Sequence, residues 1–401
     1  MNKKRITIFT TDLYQGGVAE STRKLSNFLM ENHDVDLIVY DSTPVNHKVN
    51  CSRIIHFNLP LSANFCNSKF HYIYKKIFRY PALLIAIIKL VAYVKKNKPE
   101  IVYSMTYIPN IVNVLSSFFT SNKTKIILSE RQDPSKDLKD GSLISMIVKW
   151  LYPYCDRVHA NSFEMITAIK NFYDLPLEKI YHLDNFFCLD EIKILSEEKL
   201  ETELEDMFKR NKVLITSGRL SRQKGQWHLI DFMNRINSNK ELYHLVILGD
   251  GEMRDFLEVR VSDNGLSNTV HFFGNVSNPH KYISKSHAFI FPSIWESFGN
   301  SLVEAMALGI PVISTECESG PGYIIGNGKF GLSLGRVNEN HKIISSMDVD
   351  TICEKVKLLD DIDIYMDYKS RSLNRSLDFD VIHLDEKICG LFSFCNNSTK
   401  E

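Results

Sequence analysis

Arg219 and Lys224 stand five positions apart in Ser217-Gly218-Arg219-Leu220-Ser221-Arg222-Gln223-Lys224-Gly225, directly after the β-branched run Val213 to Thr216. Such a pair can clamp a diphosphate, Arg as a planar fork and Lys as a mobile point charge. When a sugar bond to a nucleoside diphosphate breaks, negative charge develops on the leaving group. Fixed cations stabilise that charge most when it is fully formed, so a transferase built this way requires no metal ion. Arg222 reads as a solvated helix-start residue.

A second constellation follows Phe289 to Phe291: Pro292-Ser293-Ile294-Trp295-Glu296-Ser297-Phe298-Gly299-Asn300-Ser301-Leu302-Val303-Glu304. The Gly299-Asn300-Ser301 turn, with Leu302 inside the helix it opens, presents backbone N–H groups that suit a sugar phosphate. Glu296, beside that turn, is placed to hold sugar hydroxyls. Glu304 has a structural rival role, because Ser301-x-x-Glu304 is also a capping box.

Three glycine turns are less specific. Gly249 and Gly251 in Leu248-Gly249-Asp250-Gly251-Glu252, and Gly274 with Val276 in Phe273-Gly274-Asn275-Val276, either admit a nucleotide base to the backbone or are ordinary left-handed turns. Gly16-Gly17, after Arg5 to Phe9, lets an anion approach a helix start or simply closes a tight turn.

These positions share one property: each follows a strand-like run, and open α/β sheets bind ligands outside the carboxyl ends of their strands. The expected strands of the first half are Arg5 to Phe9, Val35 to Tyr40, Arg53 to Phe57, Ile101 to Ser104, Lys125 to Ser129, Arg157 to Ala160 and Ile180 to Leu183, alternating with helical patterns. A polar, acidic stretch from Asp190 to Asp206 breaks the alternation and suggests a hinge near Cys188 to Leu200. Strands then resume at Val213 to Thr216, Leu245 to Leu248, Val270 to Phe272, Ala288 to Phe291 and Pro311 to Ile313. The fold class is therefore α/β with two doubly wound domains, at 1–189 and 190–376, and a terminal helical segment, 377–401. A length of 401 residues fits two cores better than one.

Lys plus Arg equals Asp plus Glu, 48 of each, which gives no electrostatic case for nucleic acid. The eight cysteines are scattered without zinc-ligand spacing and read as reduced core thiols. Asp34-Val35-Asp36 enters a strand from its amino end and Asp348-Val349-Asp350 lies among late helices, so neither reads as a metal site, and no cofactor is expected. The basic start Met1 to Arg5 runs straight into a strand without a signal-type apolar stretch, which points to the cytosol. Pro81 to Val94 is too short to span a bilayer and is broken by Lys89. With Lys75, Lys76 and Arg79 before it and Lys95, Lys96 and Lys98 after, it is either a buried helix with solvated ends or an interfacial helix touching anionic lipid.

Taken together, G-R-L-x-x-x-K-G, L-G-D-G-E, F-x-G-N and above all E-S-F-G-N-S-L-V-E-A-M-A-L-G-I-P-V-I resemble the retaining GT-B glycosyltransferases of family four. The E-x7-E spacing of Glu296 and Glu304 is the most specific piece. The likeness extends over the chain through Gly16-Gly17, Ser129-Glu130-Arg131, Ala160-Asn161-Ser162 and Asn185. It implies two Rossmann-like domains facing a central cleft, with acceptor on the first and nucleotide sugar on the second, and a last helix returning toward the first domain. It assigns Arg219 and Lys224 to the diphosphate, Glu296 to the sugar hydroxyls, Glu304 to the ribose and Gly299 to Leu302 to backbone contacts with phosphate or sugar. Gly16, Gly17 and Arg131 fall to the acceptor or phosphate loop. Relatives with the S-E-R and S-G-P-G segments, here Ser129 to Arg131 and Ser319 to Gly322, commonly use UDP-sugars to build bacterial surface polysaccharides on a polyprenyl diphosphate. The resemblance implies a UDP-sugar donor, a lipid-linked acceptor, and front-face transfer with a donor diphosphate oxygen taking the acceptor proton. Where many relatives place a His after the fourth strand, this chain has Met105, so that sugar contact does not carry over. A nucleotide-sugar epimerase on the same scaffold and a catalytically silent partner subunit remain alternatives.

Overall fold

The computed structural model describes residues 3–13, 16–41, 49–59, 69–121, 123–138, 141–237, 243–317, 319–335 and 346–394, with the side chains of 69–80 and 346–348 excepted. Cys66, Cys395 and the side chains of Lys75, Lys76, Arg79 and Asp348 lie outside that description. The chain divides into two compact units, Met1–Phe186 with Glu386–Glu401, and Phe187–Asp385.

The first unit is built on seven parallel strands: β1 (Arg5–Thr10), β2 (Asp34–Val39), β3 (Arg53–His56), β4 (Ile101–Met105), β5 (Lys125–Glu130), β6 (Arg157–Ala160) and β7 (Ile180–His182). Their order is β3-β2-β1-β4-β5-β6-β7. The inner strands read as unbroken apolar runs because helices cover both faces of a parallel sheet. The one polar break in β1, Thr7, is fully buried and bonds Tyr93 Oη at 2.9 Å. Tyr93 donates in turn to Asp36 Oδ2 at 2.6 Å, and Arg53 grips the same carboxylate. Burial alone would raise the Asp36 carboxyl, but the bonds from Arg53 and Tyr93 outweigh it and hold the group below its usual range. Asp36 is therefore a structural anion, and Asp34 beside it meets Lys3 at 2.8 Å.

The helices Lys69–Asn97, Tyr107–Ser117 and Leu143–Leu151 pack side by side in one layer. In the Pro81 to Val94 stretch, Ala82, Ala86, Leu90 and Tyr93 enter the core while Leu84 and Ile88 face outward. The chain terminus joins this unit: Tyr181 donates to Lys387 O at 2.9 Å, and Arg157 donates to Gly390 O and Leu391 O at 2.7 and 2.6 Å.

The second unit holds β8 (Lys212–Ser217), β9 (Tyr243–Leu248), β10 (Val270–Gly274), β11 (Ala288–Phe291), β12 (Val312–Ser314) and β13 (Leu332–Ser333), ordered β10-β9-β8-β11-β12-β13. Every strand pair is parallel. The expected boundary at 189 falls at Phe186, and residues 377–385, expected to return with the terminal segment, belong to the second unit.

The acidic stretch Asp190 to Asp206 is not an irregular link. It forms most of two helices, Leu189–Ser196 and Thr202–Arg210, each anchored by one buried apolar residue, Ile192 and Phe208. A helix that buries only one side chain has a mostly polar sequence, which hides its period. Among the six described cysteines, all free thiols, Cys155 and Cys317 are buried and Cys353 packs against the second unit's core, while Cys51, Cys188 and Cys389 are only partly buried.

Candidate donor site in the second unit

Strand order reverses between β8 and β11, and such a switch point leaves a crevice at the strands' carboxyl ends. The two loops richest in chemistry leave the sheet there, Gly218–Gly225 after β8 and Pro292–Gly299 after β11. They are tied together: Ile294 N–H donates to Gln223 O at 2.8 Å and Gln223 Nε2 donates to Trp295 O at 2.9 Å. Gly225 sits at φ 64°, where a Cβ would lie 2.3 Å from Pro292 O, so the loops touch backbone to backbone.

Across that junction Lys224 and Glu296 form an ion pair, their side chains 21% and 9% exposed. Ser293 Oγ donates to the same Glu296 oxygen at 3.0 Å, Ser319 holds the Glu296 carbonyl, and the Lys224 ammonium lies 5.3 Å from the Phe291 ring centroid. The pair is thus positioned from three directions and keeps partial solvent access. Arg219 differs: its guanidinium is 66% exposed and meets only the exposed Glu252 at 3.2 Å among the ion pairs described. Such a surface contact is worth at most about 1 kcal/mol and yields readily to a better anion.

The capping box that would have given Glu304 a purely structural role does not form at Ser301. The helix Asn300–Ala307 is capped by Gly299 at φ 120°, and Leu302 N–H returns to Gly299 O at 3.1 Å. Ser301 Oγ donates instead to Ser217 O at 3.1 Å, which fastens the helix start to the end of β8. Glu304, released from that role, projects toward His280, its Oε2 3.7 Å from Nε2 with both side chains largely buried. Sequence reasoning missed His280. Asn278 positions it by accepting His280 N–H at 3.0 Å and donating to Leu195 O at 2.7 Å.

Gly249 and Gly251 are glycines because of the chain itself. A Cβ on Gly249 would lie 2.1 Å from Gly218 O, and one on Gly251 2.4 Å from Leu220 O. Gly274 N-terminal to Val276 has φ 66°, and its carbonyl accepts Gly249 N–H at 2.7 Å; Val276 packs on the core. The three loops therefore form one backbone-linked rim over β8 to β10.

In the first unit, the equivalent reversal lies between β1 and β4. Gly16 caps the helix Gly17–Met30 with open space where a Cβ would stand, and Thr11 Oγ1 and Thr106 Oγ1 join the two loops at 2.9 Å. Met105 is fully buried and accepts a hydrogen bond from Thr22, so it presents no side chain to a ligand. Arg131 donates to Asn185 Oδ1 at 2.6 Å and to Tyr103 Oη at 3.3 Å. Tyr103 bonds His159 Nδ1 at 2.7 Å, and His159 Nε2 donates to Leu183 O at 2.8 Å, a relay that fixes a neutral ring.

Beside it Glu130 is enclosed by Tyr152, Tyr173 and Asn110. Burial pushes its carboxyl up to about 7 and pushes the His159 ring down to about 3. The signs oppose. Protonated Glu130 contributes stability that is lost as pH rises from its unfolded value through about 7. Neutral His159 contributes stability that is lost as pH falls from its unfolded value toward about 3. In the shared window their slopes cancel. Glu130→Gln should therefore show stability that rises with pH relative to wild type between about 4.5 and 6.5 in urea unfolding. His159→Gln should show the opposite slope.

Two family models match the chain: glycosyl transferases group 1 over residues 200–348 and Glycosyltransferase Family 4 over residues 15–191. An uncharacterized glycosyltransferase of Methanocaldococcus jannaschii is 31% identical over 73% of this chain and 79% of its own length. The chain belongs to the group 1, family-four glycosyltransferases. A Campylobacter jejuni relative of this transferase, an N-acetylgalactosamine-N,N'-diacetylbacillosaminyl-diphospho-undecaprenol 4-alpha-N-acetylgalactosaminyltransferase, is 27% identical over 69% of this chain and 71% of its own. The solved structure of Anabaena HepE with UDP and glucose superposes with a TM-score of 0.76 at 17% identity, covering 97% of the transferase and 99% of HepE. The transferase thus has the GT-B fold, two Rossmann-like units in one chain.

Proposed function

We propose that the transferase moves a hexose or N-acetylhexosamine from a UDP-sugar to a polyprenyl-diphosphate-linked saccharide during surface polysaccharide assembly, with retention and without a metal ion. The observation that carries this reading is the Lys224–Glu296 pair at the strand switch point. A cation and a carboxylate held in register are what a leaving diphosphate and a sugar ring require side by side. Arg219 adds a second cation to the diphosphate, Gly299 to Leu302 offer a helix start to phosphate or sugar, and Gly249, Gly251, Gly274 and Val276 border the base. Gly16, Gly17 and Arg131 serve the acceptor side. The acceptor hydroxyl attacks from the leaving-group face, and a diphosphate oxygen of the donor accepts its proton. Positioning and charge stabilisation then supply the catalysis. The lipid-linked acceptor is supported by the Campylobacter relative, whose name specifies a diphospho-undecaprenol saccharide, and the UDP donor by the nucleotide seen in HepE. Among the described residues no helix is long and apolar enough to cross a membrane.

Transfer assayed with UDP- and GDP-sugars, in chelator and in manganese, tests the reading. Acceptor-dependent UDP release that survives chelator is expected; UDP-sugar turnover without acceptor would instead favour an epimerase, and absolute dependence on manganese would overturn the mechanism. The ribose role of Glu304 has its own test. Glu304→Ala should weaken UDP binding about 10- to 100-fold, the value of a charge-assisted hydrogen bond. Binding of 2′,3′-dideoxy-UDP should be equal in the two proteins by calorimetry.

A further inference from the structure

We infer that His280 is the positioning residue for Glu304: its Nε2–H steers the carboxylate into the rotamer that receives the ribose diol of the donor nucleotide, and so favours ribonucleotides over deoxyribonucleotides. The inference rests on the ribose role proposed for Glu304. His280 Nε2 lies 3.7 Å from Glu304 Oε2, with the side chains 13% and 14% exposed. That separation is an ion-pair contact and is longer than a hydrogen bond. Neither ring nitrogen has a hydrogen-bond partner among the described residues, although both are buried. Native structures rarely leave such atoms unpaired without a functional reason. Hydrogen bonds at a site without its ligand are often long and shorten once the ligand is bound. A nucleotide that draws on Glu304 supplies that reason here.

The backbone beneath the ring is fixed, which a positioning group requires. His280 opens a short helix, His280–Ile283, and its N–H is accepted by Asn278 Oδ1 at 3.0 Å. Asn278 is 6% exposed and donates to Leu195 O at 2.7 Å, and Ser284 Oγ donates to Ser196 O at 3.3 Å. Both ends of the helix are thereby fastened to the carboxyl end of the Leu189–Ser196 helix. Ile283 is fully buried, and the Tyr282 ring meets Phe273 edge-on at 5.5 Å, beside the Gly274 turn. Glu304 stands on a different footing. It is a long rotatable side chain on the helix Asn300–Ala307, and immobilising such a chain costs rotamer entropy. An imidazole on a fixed backbone reduces that cost before the nucleotide arrives, which is the physical content of preorganisation. Space-filling alone would be served better by an apolar side chain, which brings no unpaired nitrogen into the interior.

Binding of UDP and of 2′,3′-dideoxy-UDP to the full-length protein is measured by calorimetry for wild type, His280→Leu, His280→Gln and Glu304→Ala, with urea midpoints to establish that each variant is folded. His280→Leu should weaken UDP binding about 3- to 10-fold, the value of one ordinary hydrogen bond, and leave dideoxy-UDP binding unchanged. His280→Gln, whose amide nitrogen falls near the Nε2 position, should recover most of the loss. In a Glu304→Ala background, His280→Leu should have no further effect, because its influence passes through that carboxylate. Equal loss of UDP and dideoxy-UDP affinity in His280→Leu would make the histidine a packing residue and overturn the inference. So would unchanged UDP affinity in His280→Leu beside a weakened Glu304→Ala, a result that leaves the ribose reading standing. Unchanged UDP affinity in Glu304→Ala removes the ribose reading and this inference with it.

Discussion

Replacing Lys224 by Met is expected to lower turnover about 10²- to 10³-fold, the usual cost of removing one preorganised donor from a developing anion. The substitution also strands Glu296, whose carboxylate would keep Ser293 as a hydrogen-bond donor but lose its cation at a largely buried position. That costs about 1–3 kcal/mol of stability, less than in a fully buried pair because Lys224 retains some solvent contact. The two losses can be told apart. Adding Glu296→Gln to Lys224→Met should restore the urea midpoint while leaving turnover low. Because Glu296 is itself assigned to the sugar hydroxyls, the role of the ammonium is read from UDP affinity in Lys224→Met alone: affinity equal to wild type would make it a structural counter-ion and not a stabiliser of the leaving group. Arg219→Ala is the contrast: its exposed guanidinium meets only the exposed Glu252 among the ion pairs described, so stability should change little while diphosphate affinity falls.

The sheet strands were legible because parallel strands covered on both faces must be apolar throughout, and runs such as Val213 to Thr216 and Ala288 to Phe291 mark themselves. Since ligands gather at strand carboxyl ends, reading the loops that follow was enough to single out Arg219, Lys224 and Glu296 as candidates, two of which the structure pairs. What sequence could not settle was which loops are neighbours. The Lys224–Glu296 pair joins residues far apart in the chain, and it exists only because strand order places β8 beside β11. Local patterns misled where a tertiary partner outcompeted a local one. Ser301 satisfies the spacing of a capping box with Glu304 but bonds to Ser217 O, leaving Glu304 to face His280. His280 carries no motif, and the burial that sets Glu130 and His159 apart comes from rings and strands that no short window contains. The short strand β13 and the sparsely buried helices after Phe187 were hidden for a simpler reason: too few apolar positions to establish a period.

Gly249→Ala is expected to cost at least about 3–5 kcal/mol, combining left-handed backbone strain with overpacking. The new Cβ would stand 2.1 Å from Gly218 O and 2.9 Å from Gly218 C, backbone atoms with no rotamer to escape into, at φ 123°. Gly218 is itself held by Leu248 O at 2.9 Å, and Gly249 N–H by Gly274 O at 2.7 Å, so neither partner can retreat without breaking a link in the rim. The displaced segment carries Arg219 and leads to Lys224, hence UDP affinity should fall together with stability even though Gly249 lies on another loop. Gly16→Ala is the proper control. It also has positive φ, at 100°, but no atom within 4 Å of the added methyl, so only the strain of about 1–3 kcal/mol applies. Matching urea midpoints for the two variants would show that backbone strain alone accounts for both sites. A midpoint for Gly249→Ala well below that of Gly16→Ala, with UDP affinity lost in parallel, would show that these glycines exist to let the candidate donor-site loops pack on one another.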